Sequence, residues 1–215
     1  MDGQLLRLLA KTLDVDIDTS GTVDPFTIIE RALDALGLKI KMPASAKHVG
    51  LGSWPTRLQR GDHIIVREMG TDAVFHHAIF VGLHTRQGVA TEEHCVVDMY
   101  GAPDEGKQSA TLRLRTMDEF LSTSARPEIA VISYSNDTTA ARMCSAALAL
   151  HMQQCLADCT GLYRLLGYNC QHFASWCRTL RWGAHMHTVL AVTQDVIVDL
   201  PPCKCARCPK FVSVV

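Results

Sequence analysis

The spacing of apolar positions changes along the chain, and each change marks a structural unit. Over residues 1–40 it is helical. Leu5, Leu6, Leu8, Leu9 and Leu13 cluster on one face of a first short helix. Asp24 as N-cap and Pro25 at the first helical position open a second, with Ile28, Ile29, Ala32, Leu33 and Leu36 as its stripe and Gly37 as its stop. From Lys41 to Arg60 the pattern dissolves into Pro, Gly, Ser and Lys, which predicts a linker over 41–57. At Gly61-Asp62 the texture turns to strands. The runs 63–67, 77–81 and 94–98 are short, rich in β-branched residues and separated by turn residues. Ala110 to Arg115 alternates apolar and basic residues, as a half-exposed strand does. Thr116 to Glu119 is a capping box opening a short helix, and Glu128 to Tyr134 is another strand. Asn136 or Asp137 then caps a long helix to about Asp158, and a further helix begins near Cys170. Strands precede helices and no repeat recurs. The pattern predicts an α+β fold with an antiparallel sheet.

Composition narrows the function. Apolar residues make up 47% and charged residues 20%, which builds a core and excludes a disordered chain. Twenty-one basic residues against 22 acidic ones give a formal charge of -1, so there is no strong nucleic-acid signal. No window reaches the length of a membrane span, since Thr188 to Leu200 is broken by Gln194, Asp195 and Asp199. Asp2 and Gln4 interrupt the N-terminal leucines, where a signal peptide would carry a basic stretch. Nine cysteines, an odd number, then fit thiols in a reducing compartment. The expectation is a cytoplasmic protein.

Among those thiols Cys170 stands apart. A nucleophilic cysteine needs a base within hydrogen-bond reach and a third group that orients the base. It gains further from a helix N-terminus. Asn169 caps such a helix, and Phe173, Ala174 and Cys177 supply its apolar face. His76 and His77 open one strand, while His94 and Asp98 share a face of the next, being four apart. The competing reading of any cysteine is a small core residue.

Phe75-His-His-Ala-Ile-Phe-Val-Gly82 resembles the H-box of the lecithin:retinol acyltransferase (LRAT) family. Tyr168-Asn-Cys-Gln-His-Phe-Ala-Ser-Trp-Cys-Arg178 resembles its NC box. Gly61-Asp62 and Tyr163-Arg-Leu-Leu-Gly167 are secondary matches. The resemblance covers residues 58–183, between the N-terminal helices and linker and a tail over 184–215 with a Cys-rich end. It implies a circularly permuted NlpC/papain-like fold and acyl transfer through a cysteine thioester. By the same resemblance Cys170 is the nucleophile and His76 the general base, His77 falling where the family carries an aromatic residue. The family's second histidine is replaced by Asp98, which can accept an imidazole N–H equally well, with His94 as substitute. Gln171 stands in place of the NC-box glutamate.

The implied substrate is a phospholipid or other acyl lipid, met by peripheral contact with a membrane, and the implied activity is acyltransferase or phospholipase A. The alternative is a catalytically weak protein of the picornaviral 2A type, which shares both boxes and acts in replication through host-protein, membrane or RNA interactions. A cysteine peptidase is the third reading. The N-terminal helices are a candidate protein-docking element. No cofactor is implied, although Cys203, Cys205 and Cys208 supply the soft ligands zinc prefers. An exposed thiol-rich terminus is the competing reading of that cluster.

Overall fold

A computed structural model of the chain describes residues 42–67, 75–86, 90–101, 109–124, 128–135, 137–156 and 169–179. The two helices expected over 1–40, the Tyr163 motif and the Cys203–Cys208 cluster lie outside the described residues. Strands β1 (Ala46–Val49), β2 (His63–Arg67), β3 (Phe75–Thr85), β4 (Glu92–Tyr100), β5 (Thr111–Thr116) and β6 (Ile129–Ile132) form one sheet in the order β1-β6-β2-β3-β4-β5. Every neighbouring pair is antiparallel. Helices α1 (Trp54–Arg57), α2 (Met117–Leu121), α3 (Thr139–Leu156) and α4 (Cys170–Thr179) complete the described elements, with a single 3-10 turn at Leu51–Ser53. The fold is α+β, as the order of strands and helices predicts.

Both faces of the sheet are covered, which explains why β2 and β3 read as continuous apolar runs rather than alternating ones. On one face Ile79, Val81, Val97, Met99 and Leu112 pack against Ala146, Ala149 and Met152 of α3 and Phe173, Ala174 and Cys177 of α4. On the other, Ile64, Val66, Ala78, Phe80 and Val96 pack against Met117 and Phe120 of α2, with Trp54 at the margin. Successive residues of β3 therefore feed different layers. That parity separates His76 from His77.

Three local readings change. The stretch expected as a linker contributes β1, which pairs with β6 at the sheet edge. Its side chains are half-buried or exposed and it is four residues long, so it leaves no apolar run to notice. The long helix is capped by Thr138, whose Oγ1 accepts from the Ala141 N–H at 3.1 Å. Asp137 instead receives Arg142 at 2.7 Å and also Arg178. Finally, β5 is not half-exposed: Arg115 is 7% exposed, because α2 folds back over it. The capping box of α2 forms as expected, with Thr116 Oγ1 accepting from Glu119 N–H at 3.1 Å and Glu119 Oε2 from Thr116 N–H at 2.7 Å.

Gly61-Asp62 closes a tight turn. The Asp62 N–H donates to the Gln59 carbonyl at 2.9 Å, and Gly61 has a φ of 92°, as the third residue of a type II turn requires. The turn is stitched to β3 by Gly61 N–H to Phe80 carbonyl at 2.7 Å and Phe80 N–H to Asp62 carbonyl at 2.9 Å. Arg178, at the far end of α4, donates to the Gly61 carbonyl at 3.4 Å. Helix α4 is thereby tied to the turn that starts the sheet.

Candidate active site

Cys170 is the first residue of α4, and it is buried. Asn169 caps this helix with its side-chain oxygen, which accepts from the His172 N–H at 3.0 Å and from His172 Nδ1 at 2.8 Å. The Phe173 N–H reaches the Asn169 carbonyl at 3.0 Å. The N–H groups of Cys170 and Gln171 thus stand in the first turn, where no intrahelical acceptor exists. His172 has its ring held by the cap, and burial lowers its pKa.

Interactions with Cys170 are among the causes that raise the pKa of His76, the second residue of β3. His76 Nε2 donates to Asp98 Oδ2 at 2.7 Å, which leaves Nδ1 as the ring nitrogen available to the thiol. Asp98 is fully buried in β4. The same Oδ2 accepts from Arg115 Nη1 at 2.8 Å. Burial alone would lower the His76 pKa, but hydrogen bonds to Asp98 and Cys170 and the charge interactions with both outweigh it. The net effect is a rise to about 10. The Phe120 ring lies 5.5 Å from the imidazole, centroid to centroid, and shields it from the α2 side.

His77, one residue on, points into the opposite layer. There it meets His63, whose Nε2 shares a hydrogen bond with His77 Nδ1 at 2.9 Å, while His63 Nδ1 is joined to the Tyr134 hydroxyl. Burial and then the Arg178 charge lower the His63 pKa to about 3, and burial together with the neighbouring histidines pushes His77 well below its usual value. His94 lies elsewhere again. Four residues from Asp98 along β4 is roughly 13 Å, and its ring sits against Phe80 at 5.8 Å and Trp54 at 5.2 Å. It is not brought to His76.

These two groups of histidines act on stability with opposite signs. His63 and His77 stay neutral in the fold, while the unfolded chain takes up their protons below about pH 6.5. Their contribution is present above that pH and is lost as pH falls toward the folded values. His76 is the reverse: its contribution is complete below about pH 6.5 and is lost as pH rises toward about 10. Urea midpoints are therefore expected to peak near pH 6.5 and fall by pH 5 and by pH 8.5. His76→Gln should flatten the alkaline side only. Equal midpoints from pH 5 to 8.5 would overturn this account.

A family model for lecithin retinol acyltransferase matches residues 56–182. The chain belongs to the lecithin retinol acyltransferase family. No curated protein and no solved structure matches it. The matched span of this LRAT-family chain contains the cysteine, the histidine and the aspartate that the fold brings together. Membership carries chemistry of the acyltransferase and phospholipase type in general, with an acyl lipid as the substrate class. Among the described residues no helix is long and apolar enough to cross a membrane, and no group of three or more His, Cys, Asp or Glu side chains is placed to hold a metal ion.

Arg115 is the site residue that the sequence reading of this LRAT-family chain passed over. The alternation of β5 assigned it to solvent together with Arg113. The signal available was the replacement of a neutral histidine by Asp98: a buried carboxylate calls for a cation nearby.

Proposed function

We propose that this protein is a thiol-dependent acyltransferase or phospholipase A that works on phospholipid acyl esters through a thioester at Cys170. The observation that carries the reading is the buried His76–Asp98 hydrogen bond, with Cys170 acting on the same imidazole, inside a chain of LRAT-family sequence. In the first half-reaction the Cys170 sulfur, its proton already held by His76, attacks the ester carbonyl. The carbonyl oxygen becomes an oxyanion, and the Cys170 N–H at the start of α4 is suited to receive it. Collapse breaks the ester C–O bond, His76 returns the proton to the departing lyso-lipid oxygen, and the acyl group stays on sulfur. Water or an amine then attacks the thioester while His76 takes its proton. The products are free fatty acid or N-acyl amine, and the proton held by His76 restores the Cys170 thiol. Asp98 keeps Nε2 engaged throughout, so that Nδ1 faces sulfur in both directions. No metal enters these steps, and zinc at Cys203, Cys205 and Cys208 remains a separate proposal, checked by metal analysis of the purified chain.

The test is intact-mass spectrometry after incubation with phosphatidylcholine vesicles, beside a Cys170→Ala control. The expected result is an acyl-sized, hydroxylamine-labile adduct in the parent alone. With the fold intact, absence of both adduct and released fatty acid would end the enzyme reading and favour a 2A-like interaction protein. Cleavage of a peptide without lipid turnover would favour the peptidase.

A further inference from the structure

Asp98 differs from an ordinary orienting carboxylate in how its two oxygens are used. Oδ2 takes both donors, His76 Nε2 at 2.7 Å and Arg115 Nη1 at 2.8 Å. Oδ1 is buried with no hydrogen-bond partner among the described residues. A carboxylate held at one oxygen by one donor can swing; two donors from different strands on the same oxygen fix it. Arg115 is itself fixed, because Nη2 donates to the Glu119 carbonyl of α2 and the guanidinium sits over Tyr100, 3.8 Å from the ring centroid. It is reached from β5 diagonally, since Arg115 pairs with Val96 and Arg113 stands directly opposite Asp98. The arginine chosen is thus the one that α2 can also clamp.

We propose that Arg115 is a positioning residue of the site, which locks the Asp98 carboxylate toward His76 and balances its charge whenever His76 is neutral. The inference rests on the acyl-transfer reading for its catalytic meaning. While Cys170 carries an acyl group and His76 is to act as base, the imidazole must be neutral. Asp98 is fully buried, and Arg115 is then the cation bonded to it. Removing one partner from such a pair leaves an uncompensated buried charge, which is strongly unfavourable. Without the guanidinium the cheapest remedy is to keep the proton on His76. That impairs the second half-reaction, which needs a base, more than the first.

The groups facing His76 are Asp98 from β4, Arg115 from β5 through Asp98, Cys170 from α4 and His77 beside it on β3. The experiment follows His76 by NMR of histidine-labelled full-length chain carrying Cys170→Ala, so that neither the thiol nor any lipid turnover enters the reading. Arg115→Met should raise the His76 titration midpoint by about one unit or more, through loss of the opposing positive charge. Arg115→Lys, which keeps the charge, should restore most of that shift. An unmoved midpoint in folded Arg115→Met overturns the proposal. If Arg115→Met does not fold, the Asp98→Asn/Arg115→Met double variant removes both charges. Its recovery supports the pairing, and equal failure of the double overturns it. A shifted midpoint beside a parent that forms no acyl adduct leaves Arg115 in place and removes the acyl-transfer reading; an adduct without a shift does the converse.

Discussion

Cys170→Ala, His76→Gln and the double variant are expected to fall to one common floor, at least about 10³-fold below the parent in kcat. The reasoning is geometric. Cys170 acts on the His76 imidazole, and in the proposed cycle each half-reaction passes a proton between them. Removing sulfur eliminates the covalent step, and removing the imidazole leaves a sulfur with no group to take or return its proton. Groups that act as one unit do not lose rate additively. What remains at the floor is binding and whatever the N–H groups of the α4 first turn contribute to the oxyanion. Single-turnover release of fatty acid from dispersed phosphatidylcholine measures all three variants on one scale. Losses that multiply in the double variant, or a Cys170→Ala protein retaining a tenth of the parent rate, would sink the cysteine–histidine mechanism.

Gly61→Ala is expected to destabilise the fold by about 2–5 kcal/mol. Two costs combine. A φ of 92° lies in a region where a Cβ is strained, at about 1–2 kcal/mol. The added Cβ would also stand 1.8 Å from the Arg142 carbonyl oxygen, against helix backbone with no rotamer to yield, and overpacking of that kind costs about 1–3 kcal/mol. Gly82 provides the control. Its φ is 78°, but a Cβ there meets only the Arg60 side chain at 3.7 Å, so Gly82→Ala should cost the strain alone. Urea unfolding of both variants separates the two costs. Equal midpoints for Gly61→Ala and Gly82→Ala would show that the approach to Arg142 carries no weight.

The sequence made legible what depends on local chemistry. Strand β2 begins and ends where its β-branched run does, at His63 and Arg67. The Thr116–Glu119 box and the Asn169 cap were readable because a capping side chain and its target lie within four residues. The site was legible for another reason: the H-box and NC box name Cys170 and His76, and the Val-Val-Asp run offers Asp98. What stayed hidden depends on partners distant in sequence. β1 is a strand because β6 returns beside it, and nothing in Ala46 to Val49 announces that partner. Arg115 looks like a surface residue until α2 covers it. The separation of His76 from His77 needs to know which helices cover which face, since adjacent strand residues look alike in sequence.

The sheet order has a consequence for how the site comes into being. From β2 to β5 each strand lies beside the next one in sequence, so this meander can find its register through short connections. It already contains His76 and Asp98, the base and its orienter in the proposed cycle, and Arg115 behind them. Cys170 belongs to the last described helix, whose Arg178 reaches back to Asp137 and to Gly61 at the head of the meander. The thiol and the imidazole are thus supplied by opposite ends of the assembly process. In the proposed cycle, nucleophile and base are therefore brought together only once α4 has packed against the meander.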